Sequence, residues 1–306
     1  MNPEQKKRLV ELVLQPVQWQ CSLSRYTSFA IGGPAEAMVQ VDHLRELQPL
    51  LGFLAEEDIS WRIIGKGTNL LVRDEGFPGV ILRLGGEMTT VSEEDGDDGS
   101  IIMRIGGGSS FARLSRRCSE RGLTGLEFGC GIPGTLGGAV IMNAGAWGQD
   151  IASVLRRVTL VTADGDITFS PGELDFAYRC WTGFAAYRGK AVVAGVELML
   201  KKGDRAAILA YCKSLQDKRK ATQPSEHASA GSFFKNPPGD SAGRLIEASG
   251  LKGLRVGAAM VSERHGNFLV NTGGATAADV FRLMKIIQER VQKDSSVCLE
   301  PEVHFI

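Results

Sequence analysis

The sequence predicts a fold of mixed helices and strands, of the α+β or α/β class, divided into two or three domains. Segments with helical spacing of apolar residues alternate with short apolar runs that are typical of strands. No pattern recurs with a period of about 20–50 residues, which argues against a repeat architecture. The length of 306 residues corresponds to two or three domains at roughly 100–200 residues each.

Apolar spacing locates the elements along the chain. In His43–Glu57 the residues Leu44, Leu47, Leu51 and Leu54 recur at helical spacing and predict one inner face. The other predicted helices are Ser109–Arg121, a helix capped by Asp204 and a helix that opens at Thr276. The predicted strands are Trp61–Ile64, Leu70–Val72, Gly79–Leu84, Ile101–Ile105, Val154–Ala163, Asp166–Ser170 and Ala191–Leu200. Two stretches are expected to lie outside helices: the glycine-rich run Thr135–Asn143, and Lys218–Pro224, a basic connector after a domain boundary near residue 200.

The balance of charge and the scattered cysteines exclude several kinds of protein. Lys and Arg number 35 and Asp and Glu also number 35, so no basic excess favours binding to nucleic acid. No apolar run approaches the ~20 residues of a membrane span, and the first twenty residues lack the apolar centre of a signal peptide. The six cysteines show no C-x-x-C spacing, so we expect free thiols in a reducing cytoplasm and no metal site.

Glycine is concentrated in one part of the chain. Of the 38 glycines, 20 lie between Gly65 and Gly148, which predicts a local site built from closely approaching backbone. The run Gly65–Asn69 (GKGTN) suits an anion-binding turn, although an ordinary turn between strands has the same pattern. The run Gly129–Gly134 (GCGIPG) matches the G-x-G-x-x-G of dinucleotide-binding folds, but no helix is expected after it. A Rossmann fold is therefore not predicted, and the glycines indicate either an extended ligand or close packing of sheet layers.

Three further segments combine side chains that carry chemistry. Arg179 follows Tyr178, which suits recognition of a carboxylate or a planar ring, or a surface arginine. Ser229–Pro237 (SAGSFFKNP) places a hydroxyl, an ammonium group and an amide beside apolar rings, which suits a proton donor near a phosphate contact, or the polar edge of a strand. Leu299–Ile306 (LEPEVHFI) is expected to form a strand with two glutamates and a histidine on one face, for acid–base chemistry or as a solvated edge.

The motifs follow one another in the order found in a known family. They are YTSFxIGG (26–33), GKGTN (65–69), GLEF through GIPGTxGGA to NAGA (125–146), Tyr178-Arg179, Lys220-x-x-x-Pro224, GSFFKNP (231–237), VSxxHxxF (261–268) and LEPEV (299–303). Over residues 22–306 the chain thereby resembles the UDP-N-acetylenolpyruvoylglucosamine reductases.

The resemblance implies an α+β fold with two subdomains that bind FAD, of the vanillyl-alcohol-oxidase-like (PCMH-type) class, and a third α+β domain for the substrate. It implies FAD-binding subdomains at 1–85 and 86–200, a substrate domain at 201–298 and a strand at 299–306 that returns to the active site.

The same resemblance implies a reaction of peptidoglycan precursor synthesis in the cytoplasm. NADPH would reduce FAD, and reduced FAD would pass hydride to the vinyl CH2 carbon of UDP-N-acetyl-enolpyruvoylglucosamine. Protonation of the adjacent carbon would give UDP-N-acetylmuramate. The FAD is expected to be noncovalent, because no histidine lies in Trp61–Glu75, where related covalent flavoenzymes carry their linkage.

The resemblance also implies the site residues. Arg179 and Glu302 would stabilise the enolate charge, where Glu302 has to be protonated or to act through its hydrogen-bonding network, and Ser232 would donate the proton. The residues implied to bind FAD are Gly65, Lys66, Gly67, Thr68, Asn69, Gly131, Ile132, Pro133, Gly134, Gly138, Asn143, Ala144 and Gly145. Those implied to bind the substrate are Tyr178, Lys220, Lys235 and Asn236.

Some positions depart from the family pattern. Thr182 replaces, one position later, a serine usual two residues after the arginine, and Trp147 stands where tyrosine is usual. The interval of 53 residues from Arg179 to Ser232 is typical of the shorter form of the family, which lacks an extra tyrosine-bearing loop.

Two other functions fit the sequence as alternatives. One is a related, noncovalent FAD oxidase of another substrate, and the other is a nucleotide-sugar binding protein that has lost its chemistry. The expected partner is a UDP-sugar, with neither nucleic acid nor membrane, while the oligomeric state is left open.

Overall fold

The computed structural model describes the whole chain, Met1–Ile306. Its α-helices are α1 (Pro3–Leu12), α2 (Leu44–Glu56), α3 (Phe111–Glu120), α4 (Leu136–Ile141), α5 (Arg205–Thr222), α6 (Ala242–Ala248) and α7 (Ala277–Ser295). None of these helices is both long enough and apolar enough to cross a membrane.

The strands are mostly short and fall into several sheets. They are β1 (Gln18–Ser22), β2 (Pro34–Val41), β3 (Trp61–Ile63), β4 (Leu70–Leu71), β5 (Phe77–Leu84), β6 (Val91–Asp95), β7 (Ser100–Gly106), β8 (Leu123–Thr124), β9 (Gly145–Ala146), β10 (Gln149–Asp150), β11 (Leu155–Thr162), β12 (Gly165–Phe169), β13 (Phe176–Ala177), β14 (Cys180–Trp181), β15 (Ala191–Lys202), β16 (Ala228–Ser232), β17 (Arg255–Val256), β18 (Ala259–Val261), β19 (Phe268–Asn271) and β20 (His304–Phe305).

The predicted helices and strands are confirmed, with three corrections. The helix capped by Asp204, α5, continues to Thr222, so most of the predicted connector is helical. Leu44 is 45% exposed at the first position of α2, and the inner face uses Leu50 instead. The third correction concerns α4, which occupies most of the run predicted to be non-helical.

The helix α4 forms despite its two glycines because neighbouring backbone holds its first turn. The Leu136 N–H donates to the Ser109 carbonyl at 2.8 Å, and the Gly137 N–H donates to the Gly107 carbonyl at 2.7 Å. The Thr135 hydroxyl accepts the Gly138 N–H at 3.4 Å and caps the helix. Tertiary contacts thus outweigh the low helix propensity of glycine. No Rossmann fold results, because the sheet that α4 packs against is antiparallel.

The first compact unit comprises Met1–Trp19, Glu36–Gly65 and Gly79–Asp217. Its smaller sheet has the order β1-β2-β5-β3, and its larger sheet has the order β12-β11-β15-β7-β6 with β8 beside β15. Apolar residues of α1 and α2 cover the smaller sheet, and those of α3 and α4 cover the larger one. The strands β6 and β7 form an antiparallel hairpin at the edge of the larger sheet.

The second unit comprises Gln20–Ala35, Lys66–Pro78 and Lys218–Ile306. An antiparallel sheet of order β16-β19-β18-β17 packs against α6 and α7, and the short strand β20 lies parallel to β4. The strand expected over Leu299–Ile306 is confirmed only at its end. Before β20 the segment makes only one isolated bridge, between Pro301 and Phe234. A longer ladder does not form there because proline has no N–H to donate. The four-part division expected at 1–85, 86–200, 201–298 and 299–306 stays a prediction.

The carboxylate of Asp74 joins two distant segments of the second unit. Its oxygens accept the Ala277 N–H at 2.8 Å and the Ala278 N–H at 3.0 Å, at the N-terminus of α7.

We predict that Asp74→Ala lowers the free energy of unfolding by about 1–2 kcal/mol, because two helix N–H groups lose a charged acceptor. Denaturant unfolding measures this, with Glu75→Ala as the exposed neighbouring control. Equal stability of the two variants would contradict the capping role.

Candidate active site

Two glycine-rich segments predicted to bind the cofactor meet in the first unit. A Cβ atom built on Gly65 would lie 2.9 Å from the Cγ2 of Thr135 and nearer still to its Oγ1. Any side chain at position 65 therefore displaces the residue that caps α4. The sequence separation of these segments gave no hint of this contact, which brings Gly65 beside the Gly131–Gly138 run.

The Gly131–Gly138 run exposes backbone at its surface and contains no acidic side chain. Gly131 and Gly134 adopt positive φ angles of 88° and 135°, which favour glycine, and Gly131, Pro133 and Gly138 are exposed. Ile132 packs partly against the core of the larger sheet. Backbone at such turns suits an anionic ligand such as a pyrophosphate, and no acidic side chain within the run opposes it.

A buried hydroxyl beside this run lacks a partner. The Oγ of Ser109 is buried and makes no hydrogen bond, although the Ser109 carbonyl holds α4. A buried polar atom without a partner is costly, and a ligand atom would satisfy it. The open backbone, the missing carboxylates and this orphaned hydroxyl together fit FAD.

Cys130 anchors the same run from below. Its side chain is 2% exposed, and its Sγ lies 2.9 Å from the Sγ of Cys212 on α5, with the Ser115 hydroxyl at 3.1 Å. Burial raises the pKa of the Cys212 thiol to about 12, so this thiol is uncharged at neutral pH. The sequence predicts Cys130 only as a free cysteine, and the structure shows that it also packs the glycine-rich run against α5.

The loop from Lys66 to Asn69 lies in the second unit. Gly67 has a φ of 61°, and its carbonyl accepts the Ser28 N–H at 3.0 Å. Thr68 follows, half-buried, and the Asn69 Nδ2 donates to the carbonyl of Glu302 at 3.1 Å. The structure thus places part of the predicted cofactor loop directly beside a predicted catalytic residue.

Asn143 fixes the hairpin that carries Arg179. Its Nδ2 donates to the Asp150 carboxylate at 3.1 Å and to the Ala177 carbonyl at 3.2 Å, and its Oδ1 accepts the Ala152 N–H at 3.3 Å. Its side chain is therefore engaged by protein groups. The neighbouring Ala144 and Gly145 pack closely in the same way: a Cβ on Gly145 would overlap the facing strand β10.

Tyr178 and Arg179 form the turn between β13 and β14. Arg179 has a φ of 58°, an uncommon value for a residue with a side chain, and such strain is typical of functional positions. Its guanidinium lies 5.0 Å from the centre of the Tyr178 ring. Tyr178 is 53% exposed, so the pair presents a cation and an aromatic face at the surface of the first unit.

Ser232 ends the edge strand β16 just after an irregularity. The pairing of β16 with β19 shifts between Ser229 and Ser232, and Gly231 between them has a φ of 80°. A bulge of this kind redirects the side chain that follows it. Ser232 is half-buried and pairs with Phe268.

Glu302 is held next to Ser232 through the backbone. The Glu302 N–H donates to the carbonyl of Phe233 at 2.8 Å, so the segment after Ser232 and the C-terminal segment lie side by side. The Lys235 ammonium forms an ion pair with Glu300 at 2.6 Å on the same pair of segments. Of the two terminal glutamates, Glu300 is thus engaged by a lysine, and Glu302 lies nearer the serine in the ladder.

Two further residues predicted to bind the substrate lie at the ends of helices in the second unit. Lys220 lies in the last turn of α5, where the Arg264 guanidinium donates to its carbonyl at 2.6 Å. The Asn236 Oδ1 accepts the Ala242 N–H at 3.1 Å at the start of α6. The Lys220 side chain is exposed and the Lys235 side chain is half-buried, and their contact with a diphosphate stays a prediction.

The three predicted catalytic residues do not all lie in one unit. Ser232 and Glu302 belong to the second unit, and the structure brings them together. Arg179 belongs to the first unit, and its approach to the other two stays a prediction.

A mixed α and β fold whose glycine turns fit FAD defines a flavoprotein, and comparison with known proteins agrees. Residues 35–169 match the family model described as FAD binding domain, and residues 223–306 match that described as UDP-N-acetylenolpyruvoylglucosamine reductase, C-terminal domain. The predictions of an α+β fold and of FAD as cofactor are confirmed.

Relatives that align with nearly the whole chain show to which family of flavoproteins it belongs. The UDP-N-acetylenolpyruvoylglucosamine reductase 2 of Symbiobacterium thermophilum is 48% identical over 92% of this chain and 89% of its own. The reductase of Syntrophotalea carbinolica is 42% identical over 98% and 97%. The crystal structure of the reductase from Thermus caldophilus superposes with a TM-score of 0.78 at 38% identity, covering 95% of this chain and 98% of its own. The chain belongs to the UDP-N-acetylenolpyruvoylglucosamine reductase family, as the sequence motifs predict.

We predict that Gly65→Ala weakens FAD binding by about tenfold or more, because the added methyl displaces Thr135 and the start of α4. Retention of flavin on ultrafiltration measures the affinity. Gly52→Ala is the matched control: its methyl meets no atom within 4 Å inside α2, and it should keep the affinity and raise stability. Unchanged affinity in Gly65→Ala would disprove the contact as a requirement for FAD.

The pH dependence of stability should reveal His265. Burial and the nearby Lys252 lower the pKa of His265, while Glu247 acts in the opposite direction. The folded state then binds fewer protons than the unfolded state, so the contribution of neutral His265 is complete above about pH 6.5. It is lost as the pH falls toward the lowered folded pKa.

We therefore predict that the wild type loses more thermal stability between about pH 7.5 and pH 5 than His265→Gln does. Thermal melts of both proteins at each pH measure the difference. Parallel loss in the two proteins would exclude His265 as the titrating group.

Proposed function

We propose that this chain reduces UDP-N-acetyl-enolpyruvoylglucosamine to UDP-N-acetylmuramate with NADPH as the reductant and FAD held noncovalently. The observation that carries the proposal is the pairing of Glu302 with Phe233, the residue after Ser232, beside the Lys66–Asn69 loop. A proton donor, a carboxyl group and a cofactor loop are what reduction of an activated double bond requires. The family of the chain supports the same activity.

The residues that would hold FAD are the glycine turns at Gly65, Gly131 and Gly134, the α4 start at Gly138 and the Ser109 hydroxyl. Lys66 would add a positive charge, and Asn143 would act through the Arg179 hairpin that it fixes. When bound, FAD supplies a carrier that accepts hydride from NADPH and passes hydride to the vinyl CH2 carbon.

The reaction places negative charge beside the substrate carboxylate, and cationic groups lower that barrier. Adding hydride to the CH2 carbon leaves an electron pair on the neighbouring carbon, conjugated to the carboxylate. Arg179 would bind this carboxylate and hold the enolate charge, and Glu302 would assist in its protonated form, by donating a hydrogen bond. Tyr178, stacked near the guanidinium, would keep it in place.

Ser232 would then deliver the proton. A serine hydroxyl is a weak acid, but a strongly basic enolate carbon makes the transfer favourable, and water returns the proton to the serine after turnover. The bulge at Gly231 supports this role, because it sets the direction of the hydroxyl. Lys220, Lys235 and Asn236 would bind the diphosphate and uridine.

The six free cysteines support the cytoplasm, where thiols stay reduced, as the place where the chain works.

The activity is tested by NADPH consumption with and without the enolpyruvyl sugar nucleotide. The proposal expects yellow protein whose flavin is released on denaturation, and NADPH oxidation that depends on the substrate. Rapid NADPH oxidation by oxygen alone, with no dependence on the sugar nucleotide, would instead indicate the oxidase. Substrate binding without turnover would indicate a binding protein.

We predict that Ser232→Ala slows turnover of the sugar nucleotide by about 10²–10⁴-fold, because the enolate loses its proton donor. Reduction of bound flavin by NADPH should keep its wild-type rate, since it needs no proton from this residue. Stopped-flow absorbance of each half-reaction separates the two steps. Wild-type turnover in Ser232→Ala would remove this residue from the proton-transfer role.

A further inference from the structure

Asn267 is a buried amide that the sequence motif left unassigned. It lies between His265 and Phe268, and its side chain is 3% exposed. The Phe234 N–H donates to its Oδ1 at 2.9 Å, and its Nδ2 donates to the Phe234 carbonyl at 2.8 Å. One side-chain amide therefore satisfies both backbone groups of a single residue, as a facing strand would.

Phe234, which the Asn267 side chain holds, follows Ser232 by two positions. The N–H of the intervening residue, Phe233, donates to the backbone carbonyl of Asn267 at 2.8 Å. Asn267 therefore holds both residues that follow the serine. The regular pairing of β16 with β19 ends at Ser232 and Phe268. Beyond this point the Asn267 side chain continues the ladder where the chain leaves the strand.

Phe233 and Phe234 also pair with the C-terminal segment, on the side opposite to Asn267. The Phe233 carbonyl accepts the Glu302 N–H at 2.8 Å, and Phe234 bridges to Pro301. The segment from Ser232 to Phe234 is thus held between Asn267 on one side and the glutamate segment on the other. A shift of this backbone moves Ser232 and Glu302 together.

A second contact fixes Asn267 itself. Its backbone N–H donates to the Nδ1 of His265 at 3.1 Å, so the imidazole acts as an acceptor there. Burial and Lys252 lower the pKa of His265, which favours the neutral imidazole, and the hydrogen bond from the Asn267 N–H then places the ring proton on Nε2. The histidine of the family motif thereby supports the asparagine two residues later.

We propose that Asn267 is a positioning residue that fixes the backbone after Ser232, and thereby places Ser232 and Glu302 together for the reduction of the sugar nucleotide. The inference rests on the proposed function. Asn267 contacts the backbone only and takes no part in bond making. Its loss displaces the proton donor and leaves the binding of FAD and NADPH as it was.

Asn271 provides a matched control on the neighbouring strand β19. It is also a buried asparagine, 9% exposed, whose Nδ2 donates to the Phe29 carbonyl at 3.1 Å. Its Oδ1 accepts the N–H groups of Gly273 and Ala275 at 2.9 and 3.0 Å. Removing this amide costs buried hydrogen bonds of the same kind without touching the segment after Ser232.

The experiment compares Asn267→Ala with Asn271→Ala in the purified, flavin-bound protein. In Asn267→Ala we expect kcat for the sugar nucleotide to fall by about 10–100-fold, with KM changed less than about threefold. Flavin reduction by NADPH should keep its rate, and the solvent deuterium effect on kcat should rise as proton transfer becomes slower. Asn271→Ala should lose similar thermal stability while kcat stays within about twofold.

Asn267→Gln is the second variant in case Asn267→Ala fails to fold, because it keeps the amide donor and acceptor but lengthens the side chain by one methylene and so shifts Phe234. It should show the same selective loss of kcat. The proposal is overturned if folded Asn267 variants keep wild-type kcat and isotope effect, or if kcat falls in both asparagine series in proportion to stability. Turnover of the sugar nucleotide by the wild type is measured first. Its absence would reject the proposed function itself, and this outcome is distinct from failure of the inference on Asn267.

Discussion

The backbone hydrogen bonds of the C-terminal segment are the constraint on which the site of the second unit depends. The Glu302 N–H pairs with the Phe233 carbonyl, while the Glu302 carbonyl accepts from Asn69 at 3.1 Å and the His304 N–H donates to the Asn69 carbonyl at 3.0 Å. The residues from Glu302 to His304 thus lie between the segment after Ser232 and the loop Lys66–Asn69. Neither of those two segments would hold its place relative to Glu302 without them.

The glycine excess has two physical causes. At Gly106, Gly107 and Gly108 a Cβ would collide with backbone or side chains of Met88, Val193 and Leu84, so these residues permit close packing. Gly131 and Gly138 instead leave open backbone at the surface. Close packing is therefore confirmed for the first group of glycines, while binding of an extended ligand stays a prediction for the second, exposed group.

Sequence patterns predicted the elements well wherever local spacing determines them. The leucines of α2 and the apolar residues of β11 and β15 follow periodicities that survive in the fold. The helix α4 was missed because its stability comes from the carbonyls of Gly107 and Ser109, which no local pattern records.

Part of the candidate site was equally beyond the reach of spacing. The motif gave Ser232 and Glu302 as separate residues 70 positions apart, and only the paired backbone joins them. The motif VSxxHxxF leaves Asn267 unspecified, and the role proposed for it follows from a contact to Phe234 across 33 residues. Ser109 and Cys130 have no local sequence signal for the same reason, since burial is a property of the folded chain.

The proton transfer assigned to Ser232 is tested most directly in a single turnover. Protein whose bound FAD has been reduced beforehand is mixed with the sugar nucleotide in H2O and in D2O, and oxidation of the flavin is followed by absorbance. We expect flavin oxidation in the wild type to be slower in D2O than in H2O, and much slower in Ser232→Ala than in the wild type. Equal rates of flavin oxidation in Ser232→Ala and the wild type would contradict the assignment.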